Sequence, residues 1–511
     1  MSLIRIAIAA ALALAGAAQA GPTAKLDAGV VEGAASGDVL VFRGIPYAAG
    51  PSGPLRWRAP QPVTPWTGVR PATTNGAACP QPHLSDDPWA QVGPQSEDCL
   101  FLNVFRLAPK AMAKTAKGGD AVMVFIHGGS FTRGSGGVPL YDGSALARRG
   151  VVVVTINYRL GRLGYFAHPA LSAENADGGR LGNYGLMDQI AALKWVQANI
   201  AAFGGDPSKV TVFGESAGAV AVQMLATTQA AKGLFVRAIS ESGGGVAAAT
   251  PIRGAGLTGE AVGAVWTKGL GLTDPTAAQL RAIPLAEVIK PGPVGPMMDG
   301  VMILRSPGDV YRRGEELRVG LMTGSNSHEA SLVRENVGVA KAALGAAYPE
   351  LLEAVRKAGP DKAGAESDLI TQSLAVQPSR YQAERNAAAG LPTYVYYFDQ
   401  VAGSDRATAK GTDHGGELSY LFGTRADKEV WDEEDRRVSQ LMGDYWVRFA
   451  KTGNPNGDGA PVWAPVTKTA SPYMDFTAQP HTAQPTPVQD SIEAAVLAVA
   501  TKAWGEGAPG H

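Results

Sequence analysis

Gly214-Glu-Ser216-Ala-Gly218 places a hydroxyl between two glycines, directly after the apolar run Val210-Thr-Val-Phe213 and directly before the alanine-rich stretch Ala217–Leu225. The first run reads as a short buried strand and the second as a helix. A serine on so tight a strand-to-helix turn sits in strained backbone, with its hydroxyl lifted off the sheet and the helix N-terminus behind it. Such a hydroxyl is a poor nucleophile until a base takes its proton, and that base needs a third group to hold it. Seven histidines are available. His83 falls between the two cysteines, His168 and His481 sit in polar, proline-flanked stretches, and His511 ends the chain. His127 opens His127-Gly-Gly-Ser130 straight after an apolar run, the pattern of a loop that offers main-chain N–H groups to an oxyanion. His328 adjoins a candidate acid. His414, in the glycine-lined Gly411-Thr-Asp-His-Gly-Gly-Glu417, is left as the candidate base. Glu329, in Gly324-Ser-Asn-Ser-His-Glu329, follows a strand-like run and is the candidate third group. The competing reading of His414 is a solvated loop histidine, which the serine turn upstream disfavours; that of Glu329 is a helix N-cap neighbour or a loop carboxylate.

Elements must bring these three distant residues together. Ala121–Ile126, Val151–Ile156, Val210–Phe213, Val319–Thr323 and Thr393–Phe398 are short, apolar and β-rich. Helix-like stretches such as Leu186–Ile200 and Ala217–Leu225 lie between them. That alternation predicts an α/β fold with a mostly parallel central sheet flanked by helices. Lys25–Phe42 alternates more like antiparallel strands. Two stretches, 244–310 and 331–390, fit no strand pattern and read as helical insertions over the carboxyl edge of the sheet, where open α/β sheets form their pockets. Asp432-Glu-Glu-Asp435 reads as the solvated first turn of a helix reaching Phe449, and Ser491–Trp504 as a final amphipathic helix.

Composition narrows the partners. The 511 residues are 45% apolar and 18% charged, with a net charge of −1, so a large core is available and no basic field exists to hold nucleic acid. Arg5, the apolar run Ile6–Leu14 and Ala18-Gln-Ala20 form the three parts of a secretory signal. Residues 1–20 are therefore expected to be removed after Ala20, leaving 21–511 as a single exported domain. The apolar run is too short to span a bilayer, and stable membrane insertion is not expected; an uncleaved anchor is the alternative. Cys79 and Cys99 are the two cysteines. An oxidising compartment lets them close a loop of about twenty residues, worth roughly 3 kcal/mol; the alternative is two free thiols, which exported proteins usually avoid.

A longer string of motifs carries a family resemblance. It runs through Phe42-Arg-Gly-Ile-Pro-Tyr-Ala48, Leu55-Arg-Trp-Arg-Ala-Pro60, Ser96-Glu-Asp-Cys-Leu100, Asn157-Tyr-Arg-Leu-Gly161 and Gly182–Gln189, then Phe203-Gly-Gly-Asp-Pro207, the serine turn and Phe449–Pro455. The chain resembles the type-B carboxylesterases of the α/β-hydrolase superfamily, the group of cholinesterases and bacterial p-nitrobenzyl-type esterases. The resemblance implies a Ser216–His414–Glu329 triad, and an oxyanion hole from the main-chain N–H groups of Gly129, Ser130 and Ala217. Ser130 departs from the family's commonest glycine, yet any non-proline residue carries the N–H. It further implies a Cys79–Cys99 disulfide, buried pairs Arg43–Glu97 and Arg159–Asp188, and Glu417 bracing the His414 loop. For the pocket it suggests Phe131 as an apolar wall and Trp89 where cholinesterases stack a quaternary ammonium; a plain wall or surface tryptophan is the competing reading of Trp89. The implied activity is hydrolysis of a small-molecule ester with water as second substrate and no metal or organic cofactor. Rivals are a lipase, a specialised polycarboxylate or carbamate ester hydrolase, and a catalytically silent binding module.

Overall fold

The computed structural model describes residues 21–82, 92–109, 118–246, 249–358, 364–424 and 430–505. Its centre is an eleven-stranded sheet. In chain order the strands are β1 (Ala34–Ser36), β2 (Val39–Pro46), β3 (Phe101–Leu107), β4 (Asp120–Ile126), β5 (Val152–Ile156) and β6 (Gly205–Glu215). They continue as β7 (Arg237–Glu241), β8 (Gly320–Asn326), β9 (Thr393–Phe398), β10 (Tyr473–Phe476) and β11 (His481–Ala483). The spatial order is β11-β10-β9-β8-β7-β6-β4-β5-β3-β2-β1. From β10 to β5 every neighbouring pair is parallel. Antiparallel strands finish both edges.

Parallel strands need helical crossovers on both faces, so their side chains are buried to both sides. β4 shows this directly. Val122, Val124 and Ile126 face one core, which they share with Leu186, Leu193 and Val196 of α1 (Tyr184–Asn199) and Val222 and Leu225 of α2 (Ala217–Thr227). Met123 and Phe125 face the other core, against Met442, Trp446 and Phe449 of α3 (Glu433–Thr452). The period-two alternation of a strand thus divides one continuous apolar run between two cores.

The expected strands appear, with β6 extended at both ends so that Glu215 is its last residue. β7, Arg-Ala-Ile-Ser-Glu, was not expected: its mixed composition hides a central strand whose Ser240 and Glu241 are fully buried. The antiparallel character of the N-terminal segment is seen in Thr23–Leu26 against Gly29–Glu32, in a separate small sheet with Val69–Pro71. Both stretches leave the carboxyl ends of β7 and β8, but only 331–390 is largely helical; 244–310 is mostly irregular chain around the short helices Gly259–Gly269, Ala277–Arg281 and Leu285–Val288, with the short parallel pair Thr250–Pro251 and Met297–Met298. The second builds its own core with α4 (Pro487–Ala503), through Leu344, Leu352, Leu369, Ile492 and Val496.

Two expectations need correction. Asp435 is not a solvated first-turn residue. It is fully buried and accepts hydrogen bonds from the Gln400 amide, the Tyr420 hydroxyl and the Gly403 and Asp432 N–H groups, so it anchors the loop after β9. Nor does Arg43 pair with Glu97. Arg43, on β2, meets Asp142 at 3.2 Å. Glu97 accepts a two-pronged bond from Arg56 at 2.8 and 2.5 Å, and Arg56 also donates to the carbonyls of Arg281 and Ile283, tying the N-terminal loop to the first insertion. Arg159 and Asp188 do pair, at 2.7 Å and fully buried. Cys79 and Cys99 form a disulfide.

Candidate active site

Ser216 occupies the turn between β6 and α2 with φ 55° and ψ −123°, a region that L-residues enter only when the surroundings force it. Two contacts do the forcing. The Ser216 N–H donates to the carbonyl of Glu241 at the end of β7, at 2.9 Å. The flanking glycines pack on the end of β4: a Cβ at Gly214 would lie 2.6 Å from the Ile126 carbonyl oxygen, and one at Gly218 2.0 Å from the same atom. Any side chain at either position would push the helix off the sheet, so the Gly-x-Ser-x-Gly spacing is a packing requirement.

The other two residues arrive from neighbouring strand ends. Glu329 follows β8 and is 1% exposed; His414 lies in the loop between β9 and the helix Glu417–Phe422. His414 Nε2 is 2.8 Å from Ser216 Oγ, and His414 Nδ1 is 2.5 Å from Glu329 Oε2. The second oxygen of Glu329 accepts from the Asn326 N–H at 2.8 Å and from the Ser242 hydroxyl at 2.5 Å. With one oxygen on His414 and the other doubly bonded, the carboxylate is held in one orientation. Burial alone would pull the His414 pKa down, but the carboxylates of Glu329 and Glu215 outweigh it and raise the pKa.

Beneath the imidazole lies a group of buried acids. Glu215 Oε1 is 3.2 Å from His414 Nε2. Burial pushes the Glu215 carboxyl up to about 7, and burial together with Glu215 and Glu329 pushes Glu417 up to about 8. Glu417 accepts from the Asn326 side-chain amide, and Asn326 also donates to the Asp413 carbonyl at 2.9 Å. The expected bracing of the His414 loop by Glu417 therefore runs through Asn326.

His127 lies in a buried stack, apart from the contacts that join Ser216, His414 and Glu329. It is 1% exposed, its ring stacks on Tyr158 with centroids 4.5 Å apart, and burial pushes its pKa down to about 4. The glycines after it form the loop beside the serine. A Cβ on Gly128 would lie 2.6 Å from Glu215 Oε2, so the loop lies directly against the serine turn. Gly129 has φ 100° and Ser130 φ 55°. Among the described residues, neither of their N–H groups donates to another protein atom. Ala217 begins α2, where N–H groups have no partner within the helix. Gly129 and Ser130 line a cavity of about 120 Å³ together with Ser216, His414, Arg133 and Leu332.

Phe131 is buried and packs edge-on against Tyr165 at 4.9 Å, and it is not among the residues bounding that cavity. Leu332, 44% exposed, and Tyr141 bound that cavity. Trp89 lies outside the described residues. Sequence reasoning missed Glu215, Ser242 and Leu332. Glu215 sits inside the serine motif and was open to notice; Ser242 becomes meaningful only once β7 is seen to lie beside β8. Among the described residues no three His, Cys, Asp or Glu side chains are grouped to hold a metal ion.

Comparison with known proteins points the same way. The carboxylesterase family model matches residues 20–356 and 352–495. A fumonisin B1 esterase of Sphingopyxis macrogoltabida is 35% identical over 88% of this chain and 85% of its own. The para-nitrobenzyl esterase of Bacillus subtilis is 34% identical over 84% and 89%. In three dimensions a PNB esterase superposes with a TM-score of 0.79 at 30% identity, covering 92% of this chain and 99% of that one. A Geobacillus stearothermophilus carboxylesterase gives 0.79 at 30% identity over 93% and 99%. The chain belongs to the carboxylesterase family, has the α/β-hydrolase fold, and is a carboxylic-ester hydrolase.

Proposed function

We propose that the protein is an exported serine esterase that works through an acyl-enzyme, with Ser216 as nucleophile, His414 as base and then acid, and Glu329 as the orienting carboxylate. What supports this reading is the pair of contacts at 2.8 and 2.5 Å that join the three side chains, beside two main-chain N–H groups that have no acceptor among the described residues. Ser216 Oγ attacks the ester carbonyl carbon while its proton moves to His414 Nε2. The carbonyl oxygen, now negative, is received by the N–H groups of Gly129, Ser130 and Ala217. Glu329 stabilises the imidazolium that forms, and the neighbouring Glu215 adds to that stabilisation. As the tetrahedral species collapses, the imidazolium gives its proton to the departing alcohol. Water then repeats the sequence on the acyl-enzyme, releasing the acid and restoring Ser216.

Export rests on the signal-like residues 1–20 and agrees with the disulfide, since disulfides persist in oxidising compartments. We place the mature single domain at 21–511. No helix among the described residues is long and apolar enough to cross a membrane. Replacing Ser216 with Ala should reduce hydrolysis of p-nitrophenyl acetate to background, a loss on the order of 10⁴-fold or more. Turnover retained by the purified variant defeats the assignment. The fumonisin B1 esterase relative makes fumonisin B1 a natural member of the substrate panel.

A further inference from the structure

Each of the two residues that flank the triad's acid and base on the N-terminal side carries an ionisable side chain, and the two meet. His328 precedes Glu329, Asp413 precedes His414, and His328 Nδ1 is 2.6 Å from Asp413 Oδ1. An ionised carboxylate only accepts, so Nδ1 carries the proton in this bond. Their main chains form a parallel bridge, and the His328 N–H donates to the Thr412 carbonyl at 2.9 Å. The His414 N–H donates to Ser331 Oγ at 3.0 Å, and that hydroxyl donates to the His328 carbonyl at 2.7 Å. The contacts close a ring: His328 to Asp413, along the chain to His414, across to Ser331, and back to His328. Beside it, Glu335 Oε1 accepts from Lys410 Nζ at 2.5 Å and lies 3.5 Å from His328 Nε2, which has no hydrogen-bond partner among the described residues.

We propose that His328 and Asp413 are positioning residues for ester hydrolysis, a side-chain clamp that fixes the distance between the loop carrying Glu329 and the loop carrying His414. The proposal rests on the Ser216–His414–Glu329 reading above. The imidazole must meet Ser216 Oγ and Glu329 Oε2 at once, and a misplacement of about 1 Å can cost about 100-fold in rate. Loosening one contact in a ring that keeps its main-chain bonds should cost less than that. The asymmetry of burial makes the clamp testable: the His328 side chain is 11% exposed whereas that of Asp413 is 72% exposed, so Asp413 can be changed without disturbing a core.

The test measures kcat, KM and thermal midpoint with p-nitrophenyl acetate for Asp413→Ala, His328→Leu, the double variant and His328→Asn, with Ser216→Ala as blank. Asp413→Ala should lower kcat by about 5- to 20-fold with KM within about twofold and the thermal midpoint nearly unchanged, a tenth of the displacement penalty above. The double variant should be no slower than the worse single variant, because both remove one bond. His328→Asn places an amide N–H near the position of Nδ1 and should recover most of what His328→Leu loses. Asp413→Ala at the wild-type kcat, or losses that multiply in the double variant, overturn the clamp. An inactive Ser216→Ala beside an unaffected Asp413→Ala removes the clamp alone, whereas an active Ser216→Ala removes the triad reading itself.

Discussion

Glu215, one residue before the proposed nucleophile, carries a carboxyl group 3.2 Å from the nitrogen of His414 that faces Ser216. As an anion it favours the imidazolium and helps raise the His414 pKa. As the proposed base, His414 works only when neutral, so activity should rise with pH as it loses its proton. Glu215→Gln removes one anion, lowers the His414 pKa, and should move the acid limb of the kcat/KM–pH profile to lower pH. An acid limb that stays in place or moves upward would show that Glu215 does not act on His414. The three residues of the proposed triad were readable in the sequence because their types and order limit the choices: one serine lies in such a turn, and one histidine in a glycine-lined late loop. Glu215 stands inside the serine motif and was legible as a position, but its role depends on His414, and that of Ser242 on Glu329, neighbours distant in sequence.

Elements supply that neighbour. Arg159 leaves the end of β5, Asp188 lies on α1, and three donors of Arg159, its N–H, Nε and Nη2, reach one carboxylate at 3.0, 2.7 and 2.7 Å. Replacing Arg159 with Met leaves the buried Asp188 carboxylate without its counter-charge, keeping only the main-chain N–H. The variant should lose about 3–5 kcal/mol of stability, read from urea unfolding; a loss under about 1 kcal/mol would mean that Asp188 finds another partner. This pair could be anticipated from motifs, but the partner of Glu97 could not. Arg43 and Arg56 are equally basic, and the path of the loop 47–58 decides which of them reaches it. Strand legibility followed the same logic. β4, β5, β8 and β9 announce themselves as apolar runs, whereas β7 carries Ser240 and Glu241 into the core beside the site and so lacks that signature.

The whole molecule pays in stability for its buried acids. Glu417 titrates near 8 when folded, pushed up by burial and by Glu215 and Glu329, against an ordinary 4.5. Between those values the folded chain binds a proton that the unfolded chain has lost. This contribution is therefore fully present below about 4.5 and drains away as pH rises to about 8. Glu417→Gln should flatten the fall in thermal midpoint across that window; an unchanged slope would place the titration elsewhere. The disulfide acts on the unfolded chain. It closes a loop of 20 residues, so Cys79→Ser with Cys99→Ser should cost roughly 3 kcal/mol in denaturant unfolding. Overall architecture was legible from strand–helix alternation, while the small β-pair in the first insertion was too short to leave a pattern.

The proposed nucleophile can be caught. Enzyme treated with diethyl p-nitrophenyl phosphate should lose activity in step with the gain of one diethylphosphoryl group per chain, and peptide mass spectrometry should locate that group on Ser216. Full inactivation with the group on another residue, or full activity with Ser216 modified, would contradict the account.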